Sequence, residues 1–196
     1  MSDKNLQFLF EIGTLRNMQR GWYQHFGMEV ASVMEHSMRV VFLALLIARK
    51  EGVKNEEKIL KMAIAHDLSE TRTSDLCYMQ KVYVEEDDKR AIHDLFSGTI
   101  FSDFDEKILK EYKERKTIEA KIVKDADNLD IDIELKELEE RGSKLPAKLQ
   151  PTREFVRKTK FYTKTAKKLW DAVQKENISE WHLHTNKWYK IKNAGK

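Results

Sequence analysis

Apolar residues recur at intervals of three and four along much of the chain, and the longest segment of this kind covers residues 30–49. One apolar side consists of Val30, Val33, Met34, Met38, Val41, Phe42, Leu45 and Leu46. A second side consists of Val40, Leu43, Ala44 and Ile47. Because both sides are apolar, we predict a helix near the centre of the protein, with His36 at its polar end.

The next apolar segment ends abruptly in two ionisable residues. Gly52 is suited to ending the first helix and Asn55 to capping the second, which continues through residues 59–65 and meets His66 and Asp67. Burying such a pair without compensation is expensive, and a metal ion or a salt-bridge network usually compensates it. The pair therefore marks a candidate functional site.

Three further helices are predicted downstream. The first continues through residues 83–95, and the second covers residues 118–138, whose apolar stripe directs the carboxylate of Asp127 inward. The third covers residues 155–173. The chain has 7 Gly and 2 Pro and no reliable alternating pattern, so the prediction is an all-α, bundle-like fold.

The 196 residues are 41% hydrophobic, which is sufficient for one core. The longest apolar run, residues 40–48, is too short for a membrane span of roughly 20 residues. No secretory signal is recognisable, and a lone Cys77 excludes an internal disulfide and a Cys-based zinc site. We expect one cytoplasmic domain over residues 1–196, with a core at about 5–140 and a helical extension at about 150–190.

The formal net charge of +3 is unevenly distributed. Residues 141–196 hold 15 Lys and Arg against 4 Asp and Glu. This basic segment is either a solvated helix face or a surface for phosphate, nucleic acid or an acidic neighbour.

The residues with metal-binding chemistry lie on three different predicted helices. Two imidazoles and two carboxylates, the donors that borderline divalent cations accept, come from His36, His66, Asp67 and Asp127. Glu70 follows His66 by four residues and Asp67 by three, so on a continuous helix it faces the same cleft. It is placed to activate water without binding the ion.

Four ordered blocks carry a more specific signal. They are MEHS at 34–37, AHDLSE at 65–70, TSDL at 73–76 and KDAD at 124–127, preceded by RGW at 20–22. Together these blocks resemble the HD-domain phosphohydrolases, in particular the 5′-deoxynucleotidase branch. The resemblance covers about residues 5–140.

The resemblance implies that one divalent ion is held by His36, His66, Asp67 and Asp127. Its identity is left open among Co²⁺, Mn²⁺, Fe²⁺, Ni²⁺, Zn²⁺ and Mg²⁺, because such ligands tolerate several metals. Glu70 is expected to position or deprotonate the attacking water.

The resemblance also implies residues that contact the substrate. Arg20 and Arg16 are expected to neutralise the phosphate, since a guanidinium matches its oxygens, and Trp22 to pack against the sugar or base. The alternatives are an internal salt bridge for Arg20 and a core position for Trp22. Asp75 either assists catalysis or touches the sugar, or it caps the next helix.

The remaining histidines and aromatic residues are interpreted as structural. This applies to His25, His93, His182, His184 and the aromatic cluster 181–189, which is expected to pack, also between subunits. We expect a homodimer.

The function expected from these residues is removal of phosphate from nucleoside 5′-monophosphates, in particular deoxy forms. One alternative is a phosphodiesterase or pyrophosphohydrolase of cyclic or polyphosphorylated nucleotides. It is less favoured because, beyond the residues of the single-ion set, the sequence offers no additional histidine ligands for a second metal ion. The other is a nucleic-acid-binding module that uses residues 141–196. It is disfavoured because a binding scaffold does not need a water-activating Glu70.

Overall fold

The computed structural model describes residues 3–183. The α-helices of this part are α1 (Lys4–Ile12), α2 (Tyr23–Phe26), α3 (Val33–Glu51), α4 (Glu56–Ala65), α5 (Glu70–Thr73), α6 (Asp88–Phe96), α7 (Lys110–Glu114), α8 (Ile118–Glu140), α9 (Leu145–Thr159), α10 (Lys164–Val173) and α11 (Glu180–Leu183). Short 3₁₀ turns at Gly13–Asn17 and Gln80–Val82 and a π-helical turn at Phe104–Leu109 lie between them. Within residues 3–183 no strand exceeds an isolated bridge, and the prediction of an all-α fold is confirmed.

Helix α3 is the central element and packs mainly against α8 and α4. It begins in a capping box. The hydroxyl of Ser32 accepts a hydrogen bond from the N–H of Glu35 at 3.2 Å, and the Glu35 carboxylate accepts one from the N–H of Ser32 at 2.7 Å. This cap fixes the first turn of the helix and with it the position of His36.

The two apolar sides of α3 differ in exposure. The side formed by Val40, Leu43, Ala44 and Ile47 is buried in the core. On the other side Met34, Met38, Phe42 and Leu46 are 39%, 62%, 64% and 40% exposed. Within the described residues the predicted central helix is therefore covered mainly on the first of these sides, because an apolar pattern does not say what covers it.

The predicted helix through residues 83–95 is shorter than expected. Helix α6 begins only at Asp88, where the carboxylate of Asp87 caps it by accepting from the N–H of Arg90 at 3.0 Å. The chain before it turns sharply at Ser74, whose φ is +65°. The segment between Ser74 and Asp87 is irregular apart from one 3₁₀ turn.

The helix predicted over residues 155–173 is two helices. Helix α10 starts after Thr163, whose hydroxyl accepts from the N–H of Ala166 at 3.1 Å. The preceding turn is held by the buried carboxylate of Asp125 on α8, which accepts from the N–H groups of Tyr162 and Thr163 at 2.8 Å each. The helical apolar pattern of residues 155–173 is continuous, but a carboxylate distant in sequence holds a turn that divides the helix in two.

Helix α8 contains buried acidic residues, each with a partner on another segment. Asp132 accepts two hydrogen bonds from Arg153 of α9 at 2.9 and 2.7 Å, and Glu134 accepts from the N–H of Ala31 at 2.6 Å. These contacts orient α8 relative to α3 and α9. They also leave the face with Asp127 and Asp130 turned toward α3.

None of the helices in residues 3–183 has the length and apolar character that a membrane crossing requires. Trp181 is exposed, whereas His184, Trp188 and Tyr189, for which a packing role was predicted, lie outside the described residues.

The buried Arg153–Asp132 pair yields a test of this packing. Arg153→Met leaves the carboxylate of Asp132 buried without its cation, so we expect the free energy of unfolding to fall by about 3–5 kcal/mol. Urea denaturation measures this change. The control is Lys158→Met on the same helix, where the lysine is 68% exposed. Equal stability of the two variants would contradict the assigned role of the pair.

Candidate metal centre and active-site cavity

Acceptor atoms from three elements meet at one point beside α3. The Nε2 atoms of His36 and His66 lie 3.3 Å apart. The carboxylate oxygen Oδ2 of Asp67 lies 3.4 Å from Nε2 of His36 and 3.1 Å from Nε2 of His66. Oδ1 of Asp127 is 3.4 Å from the same atom of His36. The structure thus brings together the four residues that the sequence singled out.

The hydrogen bonds of the two histidines decide which nitrogen faces this point. Nδ1 of His36 donates to the carboxylate of Asp130 at 2.6 Å, and Nδ1 of His66 donates to the carbonyl of Ala63 at 2.7 Å, since neither partner is a donor. In the neutral imidazoles both Nε2 atoms therefore present lone pairs. Two lone pairs and two carboxylates face one another, and such a set repels itself without a positive charge.

The electrostatics of the four residues agree with this picture. Burial opposes the charged form of His36, but hydrogen bonds to Asp127, Asp130 and Asp67 outweigh it and raise its pKa well above the usual value. Burial also opposes ionisation of Asp67, but the histidines hold its pKa well below the ordinary range. The cluster therefore favours a bound positive charge, whether a proton or a metal ion.

Local structure explains how the His-Asp pair reaches this point. Helix α4 ends at Ala65, so His66 and Asp67 lie in the turn that follows it, not within a continuous helix. Glu70 begins the separate helix α5, which differs from the single helical edge expected from the sequence. The turn still directs Glu70 into the same cavity as His66 and Asp67.

Arg20, Gly21 and Asp75 form one network at the rim of this site. Nε of Arg20 is 3.3 Å from Oδ2 of Asp75, and its Nη1 is 3.5 Å from Oδ2 of Asp67. Oδ2 of Asp75 also accepts from the N–H of Gly21 at 3.1 Å. A Cβ at Gly21 would lie 2.2 Å from the backbone oxygen of Asp75, so only glycine permits this approach. Asp75 does not cap a helix; it holds the loop that carries Arg20.

A cavity of about 750 Å³ opens from the four-residue cluster. Its lining includes Arg20, Trp22, Glu70, Asp75, Tyr112 and Arg115, together with Leu149, Thr152, Arg153 and Val156 of α9. Three buried polar atoms on its wall lack a hydrogen-bond partner in the described part of the chain: Nε1 of Trp22, Oε2 of Glu70 and Nη1 of Arg115. Unpaired polar atoms gathered in one cavity indicate a polar ligand.

Glu70 is a carboxyl group of this cavity whose surroundings disfavour its charged form. Burial and the nearby carboxylates of Asp67 and Asp75 raise the pKa of Glu70 to about 10. Positive charge placed among its neighbours lowers this value toward the range useful for proton transfer near neutral pH.

Residues 12–175 match the family model described as an HD domain. This chain belongs to the HD-domain family. The matched range extends beyond residues 5–140, over which the resemblance was traced in the sequence, and includes α9 and α10.

Two relatives of this HD domain are named 5′-deoxynucleotidase HDDC2. The protein of Dictyostelium discoideum is 31% identical over 159 residues, which cover 74% of this chain and 83% of the relative. That of Danio rerio is 31% identical over 156 residues, covering 76% of each. Among solved structures, the PH0347 protein from Pyrococcus horikoshii OT3 aligns with a TM-score of 0.71 and 28% identity over 87% of this chain and 98% of that one.

The donor set of this HD domain fits a divalent cation. His36, His66 and Asp67 each offer an atom, and these atoms all lie within 4.8 Å of one another. Metal bonds of about 2.0–2.2 Å put neighbouring ligand atoms about 3 Å apart, close to the separations seen here. Asp127 joins the set through His36, while its other oxygen accepts from Lys124 at 2.6 Å.

Two of the three residues expected to contact the phosphate, sugar or base line the cavity, and one does not. Arg20 and Trp22 line the cavity, and the expected salt bridge of Arg20 is present as well. Arg16 is exposed on the 3₁₀ turn Gly13–Asn17 and is not among the residues that line the cavity, so its contact with the phosphate stays a prediction.

Sequence reasoning missed two groups of residues at this site. Asp130, which orients His36, follows Asp127 by three residues on α8, and this spacing on an inward helix face was the available signal. Tyr112 and Arg115 carry no such signal, because they come from a segment outside the four sequence blocks. Their position beside His66 is a product of the fold.

Asp130 provides a test of the metal centre. Asp130→Asn replaces the carboxylate that orients and polarises His36, so we expect divalent-metal affinity to fall about 10- to 100-fold. Calorimetric titration with Mn²⁺ or Co²⁺ measures the change. Glu139→Gln, an exposed acid on the same helix, should leave affinity unaltered. Undiminished affinity in Asp130→Asn would remove Asp130 from the metal site.

Proposed function

We propose that this chain is a metal-dependent phosphomonoesterase that removes phosphate from nucleoside 5′-monophosphates, in particular deoxy forms. The observation that carries the proposal is the cluster of His36, His66, Asp67 and Asp127, of which His66, Asp67 and Asp127 line the same cavity as Glu70. The names of the relatives, 5′-deoxynucleotidases, support the same reaction and substrate class.

In this proposal one divalent ion is held by His36, His66, Asp67 and Asp127. Such an ion supplies Lewis-acid stabilisation of a phosphoryl oxygen and a lowered pKa for water. Its identity stays open among Co²⁺, Mn²⁺, Fe²⁺, Ni²⁺, Zn²⁺ and Mg²⁺, because imidazole and carboxylate donors suit several of them. A panel of these metals with dAMP, dGMP, dCMP, dUMP and their ribose counterparts identifies the preferred pair.

Glu70 takes the proton of the attacking water in this proposal. Glu70 lines the cavity, and its buried Oε2 has no hydrogen-bond partner among the described residues, which leaves one acceptor of this carboxyl group unused. Asp75 holds the Arg20 loop, and Nη2 of Arg20 is left for a substrate oxygen after Nε and Nη1 contact Asp75 and Asp67. The unpaired indole N–H of Trp22 supports a contact to the sugar or base.

Residues 1–196 are proposed to form one domain. The contacts of Asp125 with residues 162 and 163 and of Arg153 with Asp132 tie the C-terminal helices to α8, and α9 contributes to the cavity wall. The C-terminal extension is therefore part of the proposed active site. A cytoplasmic location stays a prediction from the sequence.

Separate roles for metal ligands and Glu70 predict separable defects. His66→Ala or Asp67→Ala should lose bound metal and phosphate release together. Glu70→Gln should retain metal and lose activity by about 10²- to 10⁴-fold, since it removes the proton acceptor alone. Metal content and phosphate release from dAMP are measured on the same samples. Full activity in Glu70→Gln would exclude it as the base.

A homodimer is proposed from the exposed apolar side of α3. Met34, Met38, Phe42 and Leu46 follow one another at four-residue intervals and form a stripe that a second copy would cover. Phe42→Asp should convert a dimer to a monomer, because it buries a charge in that interface. Light scattering after size exclusion measures the mass.

The matched control for the dimer is Phe155→Asp, an exposed phenylalanine on α9. This variant should keep the mass of the wild-type protein. A monomeric wild-type protein, or a Phe42→Asp variant that stays dimeric, would contradict an interface on α3.

A further inference from the structure

The cationic side chains of the cavity differ in whether their charge is already paired. Six of them contribute to the lining: Arg20, Lys81, Lys113, Arg115, Lys124 and Arg153. Four have a carboxylate at 3.5 Å or less: Arg20 with Asp67, Lys113 with Asp88, Lys124 with Asp127 and Arg153 with Asp132. Among the side chains that the structure describes, Lys81 and Arg115 have no such partner, and Lys81 is exposed.

Arg115 is the half-buried cation without an anion. Its Nη1 is buried and has no hydrogen-bond acceptor in the described part of the chain. Guanidinium N–H groups that are withdrawn from water are normally paired, because an unpaired charged donor is expensive. Its set of contacts is therefore incomplete in the protein alone.

The position of the Arg115 side chain is set by a left-handed backbone conformation and by stacking on Tyr112. Arg115 ends α7 in the left-handed region, with φ +54° and ψ +24°, a position usually occupied by glycine. A non-glycine residue here stores backbone strain, which is commonly found where a side chain has a functional role. Its Cζ lies 3.3 Å from the ring centroid of Tyr112, so stacking fixes the plane of the guanidinium.

Tyr112 connects Arg115 to the metal centre. The ring of Tyr112 stands edge-on to the imidazole of His66, with centroids 6.0 Å apart and planes at 82°. Arg115 is thus one aromatic ring away from a proposed metal ligand, and both residues line the same cavity. Stacking occupies the face of the guanidinium and leaves its in-plane N–H groups available for oxygen.

We infer that Arg115 binds the phosphate group of the substrate, as a positioning cation preset by the left-handed turn and by Tyr112. This inference rests on the proposed function. A guanidinium donates two parallel hydrogen bonds to phosphate oxygens, whereas a neutral sugar or base leaves its charge unpaired. Arg20 shares its charge with Asp67 and Asp75, so Arg115 is the unpaired guanidinium at this end of the cavity.

The test uses Arg115→Gly in the metal-loaded, full-length protein. Glycine removes the guanidinium and also relieves the strain of the left-handed backbone. The melting temperature of this variant should therefore stay close to that of the wild type. Calorimetry measures binding of inorganic phosphate and of deoxyadenosine, the two products of dAMP hydrolysis, neither of which turns over. We expect phosphate to bind about 10- to 100-fold more weakly and deoxyadenosine to bind as in the wild type.

Kinetics with dAMP supply the second measurement. The KM of Arg115→Gly should rise by a similar factor, and Arg115→Lys should recover part of it, because lysine restores charge without the two-donor fork. Arg90→Gly, an arginine that is 78% exposed and outside the cavity, is the control for loss of a positive charge.

The outcomes separate this inference from the proposed function. Unchanged phosphate binding in Arg115→Gly, or an equal loss of deoxyadenosine binding, overturns the role of Arg115 even if the wild type hydrolyses dAMP. A wild-type protein that releases no phosphate from any nucleotide overturns the proposed function instead. The phosphate titration then still decides whether Arg115 is an anion-binding residue.

Discussion

The central constraint on this structure is electrostatic: several buried acceptor atoms lie close together and require a positive charge among them. Atoms of His36, His66 and Asp67 lie 3.1–3.4 Å from one another, and a carboxylate oxygen of Asp127 lies 3.4 Å from Nε2 of His36. Without a cation this arrangement is repulsive, and burial strengthens the repulsion because the local dielectric is low. The packing of α3, α4 and α8 thus holds a site that is complementary to a metal ion.

The surrounding network prevents the site from relaxing. His36 is fixed through Nδ1 by Asp130, which in turn pairs with Arg39, and the Ser32–Glu35 capping box fixes the turn that carries His36. Because these contacts hold His36 in place, its imidazole cannot rotate to form other hydrogen bonds within the cluster. The orientation of the ligands is therefore a property of two helices and their polar contacts rather than of the ion alone.

The cavity combines parts that are distant in the chain and uses its charges in two ways. Most of its cations are paired with carboxylates and serve to hold the walls, as Arg20 does with Asp75 and Arg153 with Asp132. Trp22, Glu70 and Arg115, which also line the cavity, each have one buried polar atom without a hydrogen-bond partner among the described residues. Helix α9 also lines this space, so a C-terminal helix contributes to the cavity wall.

The sequence by itself determined the helical class, the α3 and α8 helices and the four-residue cluster, because helical periodicity and the HD-type blocks are local patterns. Only the tertiary structure decided that residues 155–173 form two helices and that Arg115 lines the cavity. These outcomes depend on partners far along the chain, such as Asp125 for the α9–α10 turn. Periodicity records which residues are apolar, whereas burial, pairing and cavity walls arise only when separate segments meet.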